Sequence, residues 1–272
     1  MPIPEPYPDL DDLMLMIGEA GGRLSDIDAS EGAAGNISLA IRWAVEPRRR
    51  FPIIEPITLP VPAPALADCG LLVTGSGRRL REIAELPVAN LGFVRVNADG
   101  HTGTLYTSPE RRFTRLTSEF NSHLAVHNDQ MPSTNFSAVI HAQPLHLTYL
   151  SHVPRYQDFT FLNQHILRWE PELIVNLPEG VGVLPFIMPG SDELMAASVE
   201  ALRTHKVILW GKHGVMARSD VSVKRACDLI EYIETGARYE CLNLSMGEIG
   251  EGLTADQVRA IAANFNVQQR IY

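Results

Sequence analysis

Hydrophobic and polar positions alternate along much of the first half of the chain, and helical spacing becomes more frequent in the second. Leu13, Met14, Met16, Ile17 and Leu24 predict a helix over Asp11 to Leu24, weakened by the pair Gly21-Gly22. Ala33-Ala34-Gly35-Asn36 reads as a turn, and Ile37, Leu39 and Ile41 then alternate with Ser38, Ala40 and Arg42 as in a half-buried strand. The prolines between Pro47 and Pro64 lack an amide hydrogen and fix φ, which predicts a long surface excursion holding neither regular helix nor a central strand. Cys69 to Thr74 reads as a buried strand ending in Gly75-Ser76-Gly77. Gly92 to Val96 and Gly103 to Tyr106 form a predicted hairpin around Ala98-Asp99-Gly100.

From Thr117 the period changes. Phe120, Leu124 and His127 fall on one helical face, so Glu119 to Asn128 is expected as a helix with Ser118 as its N-cap and Glu119 in its first turn. Ser137 to Gln143 alternates as a strand with Val139, His141 and Gln143 on one face, and Pro144 suits the first position of a following helix. Two further strands are expected at Glu172 to Leu177 and Lys206 to His213, separated by a helix capped by Ser191 with Asp192 and Glu193 in its first turn. Val221 to Leu244 reads as a long helix, and Thr254 with Gln257 forms a capping box for a last one reaching Asn264. No internal repeat or linker divides residues 1–272, so a single α/β domain is expected.

Composition narrows the function classes. A 45% hydrophobic and 20% charged chain excludes disordered and fibrous readings. Its apolar runs are too short to cross a bilayer, and its start lacks the charged and apolar regions of a signal peptide. Cys69, Cys227 and Cys241 are odd in number and widely spaced, which fits a reducing cytoplasm better than a disulfide framework. A net charge of −9 argues against a nucleic-acid surface despite the local run Arg78-Arg79-Leu80-Arg81, while leaving room for a small anionic ligand.

Among nine histidines, His141 and His213 stand near the ends of predicted strands, where α/β folds place ligands. His123 and His127 lie one turn apart on a helix without a zincin-like glutamate and read as structural. The turns Gly35-Asn36 and Gly75-Ser76-Gly77, together with the helix start at Thr117-Ser118, could jointly cradle a phosphate through backbone N–H groups and hydroxyls.

These segments, taken in order, resemble the class II aldolases of deoxysugar phosphates. The resemblance is carried by Ala34-Gly35-Asn36-Ile37-Ser38, Val73-Thr74-Gly75-Ser76-Gly77, Thr117-Ser118-Glu119, the His141 strand, the run from Pro178 to Pro185, and Trp210-Gly211-Lys212-His213-Gly214-Val215. Pro189-Gly190-Ser191-Asp192-Glu193 and Ser245-Met246-Gly247 agree with it, so it spans nearly the whole chain. It implies a central mixed, largely antiparallel sheet between helical layers, a homotetramer, and a zinc-dependent lyase that splits a ketose 1-phosphate into dihydroxyacetone phosphate and an aldehyde. Neither nucleic acid nor membrane is an expected partner. The same superfamily contains fuculose-phosphate aldolases, a ribulose-phosphate 4-epimerase and non-catalytic adducin-like domains, which remain alternatives.

Residue by residue, the resemblance implies that His141 and His213 are metal ligands. Gln143 stands where the family has a second strand histidine, and His146 follows three positions later. A glutamine oxygen binds zinc less strongly than imidazole, which leaves other divalent ions open. Gln143 is the favoured third ligand because it shares the strand face of His141. Glu119 matches the catalytic carboxylate that moves a proton at C3 of dihydroxyacetone phosphate. Asn36, Ser76, Gly77, Thr117 and Ser118 match phosphate-binding positions. Glu172 matches a second carboxylate, expected near the aldehyde half of the site in its own subunit or across a subunit interface.

Overall fold

The computed structural model describes residues 2–247 and 249–272. Its centre is a nine-stranded sheet made of β1 (Asn36–Ile41), β2 (Ile53–Thr58), β3 (Gly70–Thr74), β4 (Leu91–Val96), β5 (Thr102–Thr107), β6 (Phe136–Ala142), β7 (Gly182–Leu184), β8 (Val207–Trp210) and β9 (Gly214–Ser219). The spatial order is β2-β5-β4-β3-β1-β6-β9-β8-β7. Every adjacent pair is antiparallel except β7 with β8. The sheet is therefore mixed and largely antiparallel, as expected.

Strand alternation assigns its two faces. Ile37, Leu39 and Ile41 of β1, with Phe136, Ala138 and Ile140 of β6, meet the helices α1 (Leu10–Asp26), α5 (Phe159–Ile166), α8 (Val223–Met246) and α9 (Ala255–Asn264) in one apolar core. On the opposite face, Ala40, Leu71 and Val73 pack with Phe120 and Leu124 of α3 (Phe120–Gln130). Val139, Ile208, Trp210 and Met216 pack there with Leu194 and Leu202 of α7 (Asp192–Leu202). Burying one side chain of this size contributes about 1.5–3 kcal/mol, so the period-2 pattern fixes the register on both faces.

The predicted helix ends mostly hold. Asp9 closes a capping box on α1, and the glycines that weaken that helix's propensity are needed for packing: a Cβ on Gly21 would lie 2.5 Å from the Leu80 carbonyl oxygen. Ser191 caps α7, Ser222 caps α8, and Thr254 with Gln257 forms the capping box of α9.

Several expectations need correction. The proline-rich stretch is not wholly an excursion, because β2 pairs with β5 at the edge of the sheet, with Pro56 opposite Thr104. An edge strand has a side with no neighbour to receive an N–H, which is why it tolerates proline. Glu172 to Leu177 is not a strand. It forms the short helix α6 (Pro171–Asn176), which starts with Pro171 and buries Leu173 and Ile174; so short an apolar run fits either period, and proline at the first helical position decides it. The segment Lys206 to His213 forms β8 and then turns, placing His213 between β8 and β9. Helix α3 begins at Phe120, so Glu119 is its N-cap residue, in place of Ser118, and its side chain makes no cap.

Candidate active site

The antiparallel register sets Asn36 at the start of β1 directly opposite His141 near the end of β6, and His141 opposite Met216 of β9. The β8–β9 turn brings His213 to the same end of the sheet, and the start of α3 brings Glu119 over it. In this way residues distant in sequence become neighbours. Glu119 Oε2 lies 3.7 Å from His141 Nε2, and Glu119 Oε1 lies 3.5 Å from His213 Nε2. All three side chains are largely or wholly removed from solvent. Each offers one ligand atom within 4.8 Å of the others, making this the metal-competent group of histidine, cysteine and carboxylate side chains among the described residues.

The donor set fits a divalent ion. His141 Nδ1 lies 2.8 Å from the Val215 carbonyl oxygen, which fixes its proton on Nδ1 and leaves the Nε2 lone pair facing Glu119 and His213. His213 turns its Nε2 toward Glu119 Oε1, and its Nδ1 is buried without a hydrogen-bond partner among the described residues. Burial, followed by the neighbouring His141, lowers the His213 imidazole to about 4 against the opposing pull of Glu119, so its ring is neutral at physiological pH. The indole of Trp210 walls the pair, with ring centroids 4.8 Å from His141 and 5.1 Å from His213, and its Nε1 donates to Ser198 of α7 at 3.0 Å.

The turn carrying His213 is fixed from outside the sheet. Lys212 takes φ +61°, and its N–H donates to Ser151 Oγ at 2.7 Å. Its side chain is exposed. At Gly214 a Cβ would stand 2.4 Å from the Ala142 carbonyl oxygen and 3.1 Å from both Gln143 Cγ and His141 Cε1, so only glycine allows the two strands to close here.

Gln143 lies just past β6, with its backbone N–H donating to Ala29 and its side-chain stem beside Gly214 and His141. It is half-buried and next to the metal-competent group. His146 is held elsewhere. It belongs to the short helix α4 (Leu145–Leu150), its Nδ1 lies 2.6 Å from Glu234 Oε1 on α8, and the same carboxylate accepts the N–H groups of His146 and Leu147. We therefore expect His146→Ala to leave metal content unchanged and Gln143→Ala to lower metal affinity. Metal analysis of the purified variants checks this, and loss of metal from His146→Ala alone would reverse the assignment.

Ser76, Gly77, Thr117 and Ser118 are also brought together. Ser76 N–H donates to the Arg115 carbonyl at 2.9 Å, Thr117 N–H donates to the Thr74 carbonyl at 3.0 Å, and Gly75 bridges Leu116. Ser118 and Gly77 are exposed, and a Cβ on Gly77 would meet open space. The Asn36 side chain, expected at the phosphate, donates from Nδ2 to Glu119 Oε2 at 3.0 Å and accepts from His123 at Oδ1. The side chain therefore serves the carboxylate. Glu172 is exposed in the first turn of α6 and forms neither a hydrogen bond nor an ion pair with Glu119, His141 or His213.

The structural reading of His123 and His127 agrees with their complete burial and their bonds to Ser38. Burial lowers His127 to about 3 and His123 well below its usual value. Above pH 6.5 both rings are neutral in either state and cost nothing. As the pH falls from 6.5 toward 3, the unfolded chain binds a proton at His127 that the folded chain refuses, removing about 1.4 kcal/mol per pH unit, and His123 acts in the same direction. His127→Gln is thus expected to lose less stability than the unmodified chain between pH 6.5 and 4.5 in urea titrations; equal losses would contradict this.

A buried carboxylate beside two imidazoles, at the end of a mixed sheet and near uncharged donors, is a group that can hold a divalent ion. The chain belongs to the class II aldolase and adducin N-terminal domain family, whose family model matches residues 17–241. It is a class II aldolase, a lyase. It is 33% identical over 245 residues to the rhamnulose-1-phosphate aldolase of Yersinia pestis, covering 87% of each chain. To the rhamnulose-1-phosphate aldolase of Bacteroides thetaiotaomicron it is 29% identical over 254 residues, covering 92% of this chain and 93% of that one. The sugar-phosphate aldolase structure from Thermotoga maritima superposes with a TM-score of 0.76 at 27% identity, over 89% of this chain and 99% of that one. The L-fuculose-1-phosphate aldolase of Thermus thermophilus shares the fold, with a TM-score of 0.55 at 20% identity over 88% and 98% of the two chains.

Proposed function

We propose that this chain cleaves L-rhamnulose 1-phosphate to dihydroxyacetone phosphate and L-lactaldehyde. The observation carrying the reading is the placement of Glu119 against both His141 and His213, in a chain whose curated relatives include rhamnulose-1-phosphate aldolases. A divalent ion held by His141, Gln143 and His213, zinc by its affinity for imidazole, would supply Lewis acidity to the substrate carbonyl.

The remaining work falls to the chain. In cleavage the C4 hydroxyl gives its proton to solvent, the C3–C4 bond breaks as the C4 oxygen becomes the aldehyde carbonyl and the bonding pair passes to C3, and Glu119, having taken up one proton from solvent, delivers it to C3 and is left as the carboxylate. In condensation it removes that proton. Asn36 holds Glu119 through its Nδ2, and burial of the pair keeps bulk water from competing for the carboxylate. Ser76, Gly77, Thr117 and Ser118 bind the phosphate with uncharged donors, and Asn36 contributes the Nδ2 hydrogen that it does not give to Glu119. The exposed side chain of Lys212 argues against a Schiff base. Residues 1–272 act as one domain within a homotetramer, and Glu172 reaches the aldehyde half of a neighbouring subunit's site. Free cysteines at positions 69, 227 and 241 favour a cytoplasmic setting.

The test is a coupled assay with rhamnulose 1-phosphate, fuculose 1-phosphate and ribulose 5-phosphate, following dihydroxyacetone phosphate release from the first two and epimer formation from the third. Preference for rhamnulose 1-phosphate supports the reading. A higher kcat/KM for fuculose 1-phosphate, or epimerisation of ribulose 5-phosphate, replaces it with that activity. Silence with all three favours a binding module.

A further inference from the structure

A buried row of side chains runs from Glu119 into the interior between β1, β6 and α3. Asn36 Nδ2 donates to Glu119 Oε2 at 3.0 Å, and His123 Nε2 contacts Asn36 Oδ1. Ser38 Oγ lies 2.6 Å from His123 Nδ1 and 2.7 Å from His127 Nε2. His127 Nδ1 lies 2.8 Å from Ser137 Oγ. All six residues are buried, and both histidines are completely so. An apolar pair at 123 and 127 would fill this interior without the desolvation cost that two imidazoles and two hydroxyls carry.

One link sets the direction of every other. The carboxylate of Glu119 accepts hydrogen bonds, so Asn36 must present its NH₂ to it and its carbonyl to His123. His123 must then carry its proton on Nε2, which leaves Nδ1 to accept from the Ser38 hydroxyl. The Ser38 oxygen in turn accepts from His127 Nε2–H, and His127 Nδ1 accepts from the Ser137 hydroxyl. Each donor in the row points toward Glu119, and such an aligned series polarises its members cooperatively. Burial keeps both rings neutral, so each has one donor and one acceptor nitrogen, as the row requires.

We propose that His123, and behind it Ser38, His127 and Ser137, are positioning residues that hold the Asn36 amide in one orientation and thereby aim the Glu119 carboxylate. The role in turnover rests on Glu119 being the proton carrier of the proposed lyase; the direction of the row does not. An Asn36 amide released from His123 can rotate and turn its carbonyl oxygen toward Glu119, replacing a donor with a repelling acceptor.

The experiment pairs ring-nitrogen NMR with kinetics on the metal-loaded protein. Nitrogen-15 spectra of the unmodified chain at pH 7 should show His123 and His127 both neutral with the proton on Nε2. His123→Leu should lower kcat roughly tenfold to a hundredfold, the cost common for an outer partner of a site, with KM and metal content unchanged. His123→Gln, whose amide NH₂ can take the place of Nε2–H, should recover most of the loss. Ser38→Ala, a smaller change that interrupts the row with both rings in place, should lower kcat in the same sense if His123→Leu does not fold. A proton on Nδ1 of either ring overturns the proposal, as do equal kcat values for folded, metal-loaded His123→Gln and His123→Leu or an unaltered kcat in Ser38→Ala. If the unmodified chain cleaves no ketose phosphate, the proposed function fails, while the ring signals still decide the direction of the row.

Discussion

Glu119→Gln is expected to fold, to retain its divalent ion and to lose turnover by a factor of roughly 10² to 10⁴, the range associated with a positioned acid–base group. The substitution keeps the shape of a buried side chain, and its carbonyl oxygen can still accept from Asn36 Nδ2, which now lies 3.0 Å from Glu119 Oε2. It cannot take up and deliver a proton near neutral pH. Because Glu119 also lies within ligand reach of both imidazoles, the measurement must separate chemistry from binding: metal content by elemental analysis, and kcat by release of dihydroxyacetone phosphate. Retained metal with collapsed kcat identifies the proton carrier. Retained metal with undiminished kcat removes Glu119 from that role, and lost metal would make it chiefly a ligand.

His141→Ala is expected to abolish metal binding and activity together. This ring is the better prepared of the two imidazoles, since its Nδ1–H donates to the Val215 carbonyl and presets Nε2 as the ligand atom. A metal bound there gains its affinity without ordering a mobile side chain, and alanine removes that preparation along with the ligand. His205→Ala serves as a control, because His205 is occupied by Thr204 and the Ala201 carbonyl in the α7–β8 connection and lies outside the metal-competent group. The expected result is full metal content in the control and none after dialysis in His141→Ala, with activity following metal content. Wild-type metal affinity in His141→Ala would exclude His141 as a ligand.

The distribution of correct and incorrect expectations follows from the reach of each interaction. Ser191 and Thr254 cap their helices through contacts three residues away, and such contacts are visible in any short window, whereas the helix expected from Val221 begins at Val223 with Ser222 as its cap. The segment 171–176 is different, because Leu173, Val175 and Leu177 alternate as a strand would while Pro171 and the helices beneath favour a turn of helix. Strand β2 was obscured by Pro56 and the prolines that flank it, and only its place at the sheet edge makes Pro56 tolerable. The weak helical pattern around Gly21 has a tertiary explanation in the close approach of Leu80.

At the site, places at strand ends were enough to single out His141 and His213, and the serine- and glycine-containing turns stood out as anion donors, whereas Glu119 stood out only through the family resemblance. Their convergence was not legible, nor was the role of Asn36, whose bond to Glu119 joins residues 83 positions apart. The same holds for the row behind it: Ser38 and Ser137 have no local signature, and His123 and His127 look like an ordinary helical pair. Local sequence by itself determined the helix ends, the alternation of the central strands and the inventory of reactive groups, since these depend on backbone geometry and neighbours within a turn or two. Only the tertiary structure decided that His146 belongs to Glu234 and that two buried imidazoles lead to Glu119, because those choices are made by side chains from separate elements competing for the same few partners in a space closed to water.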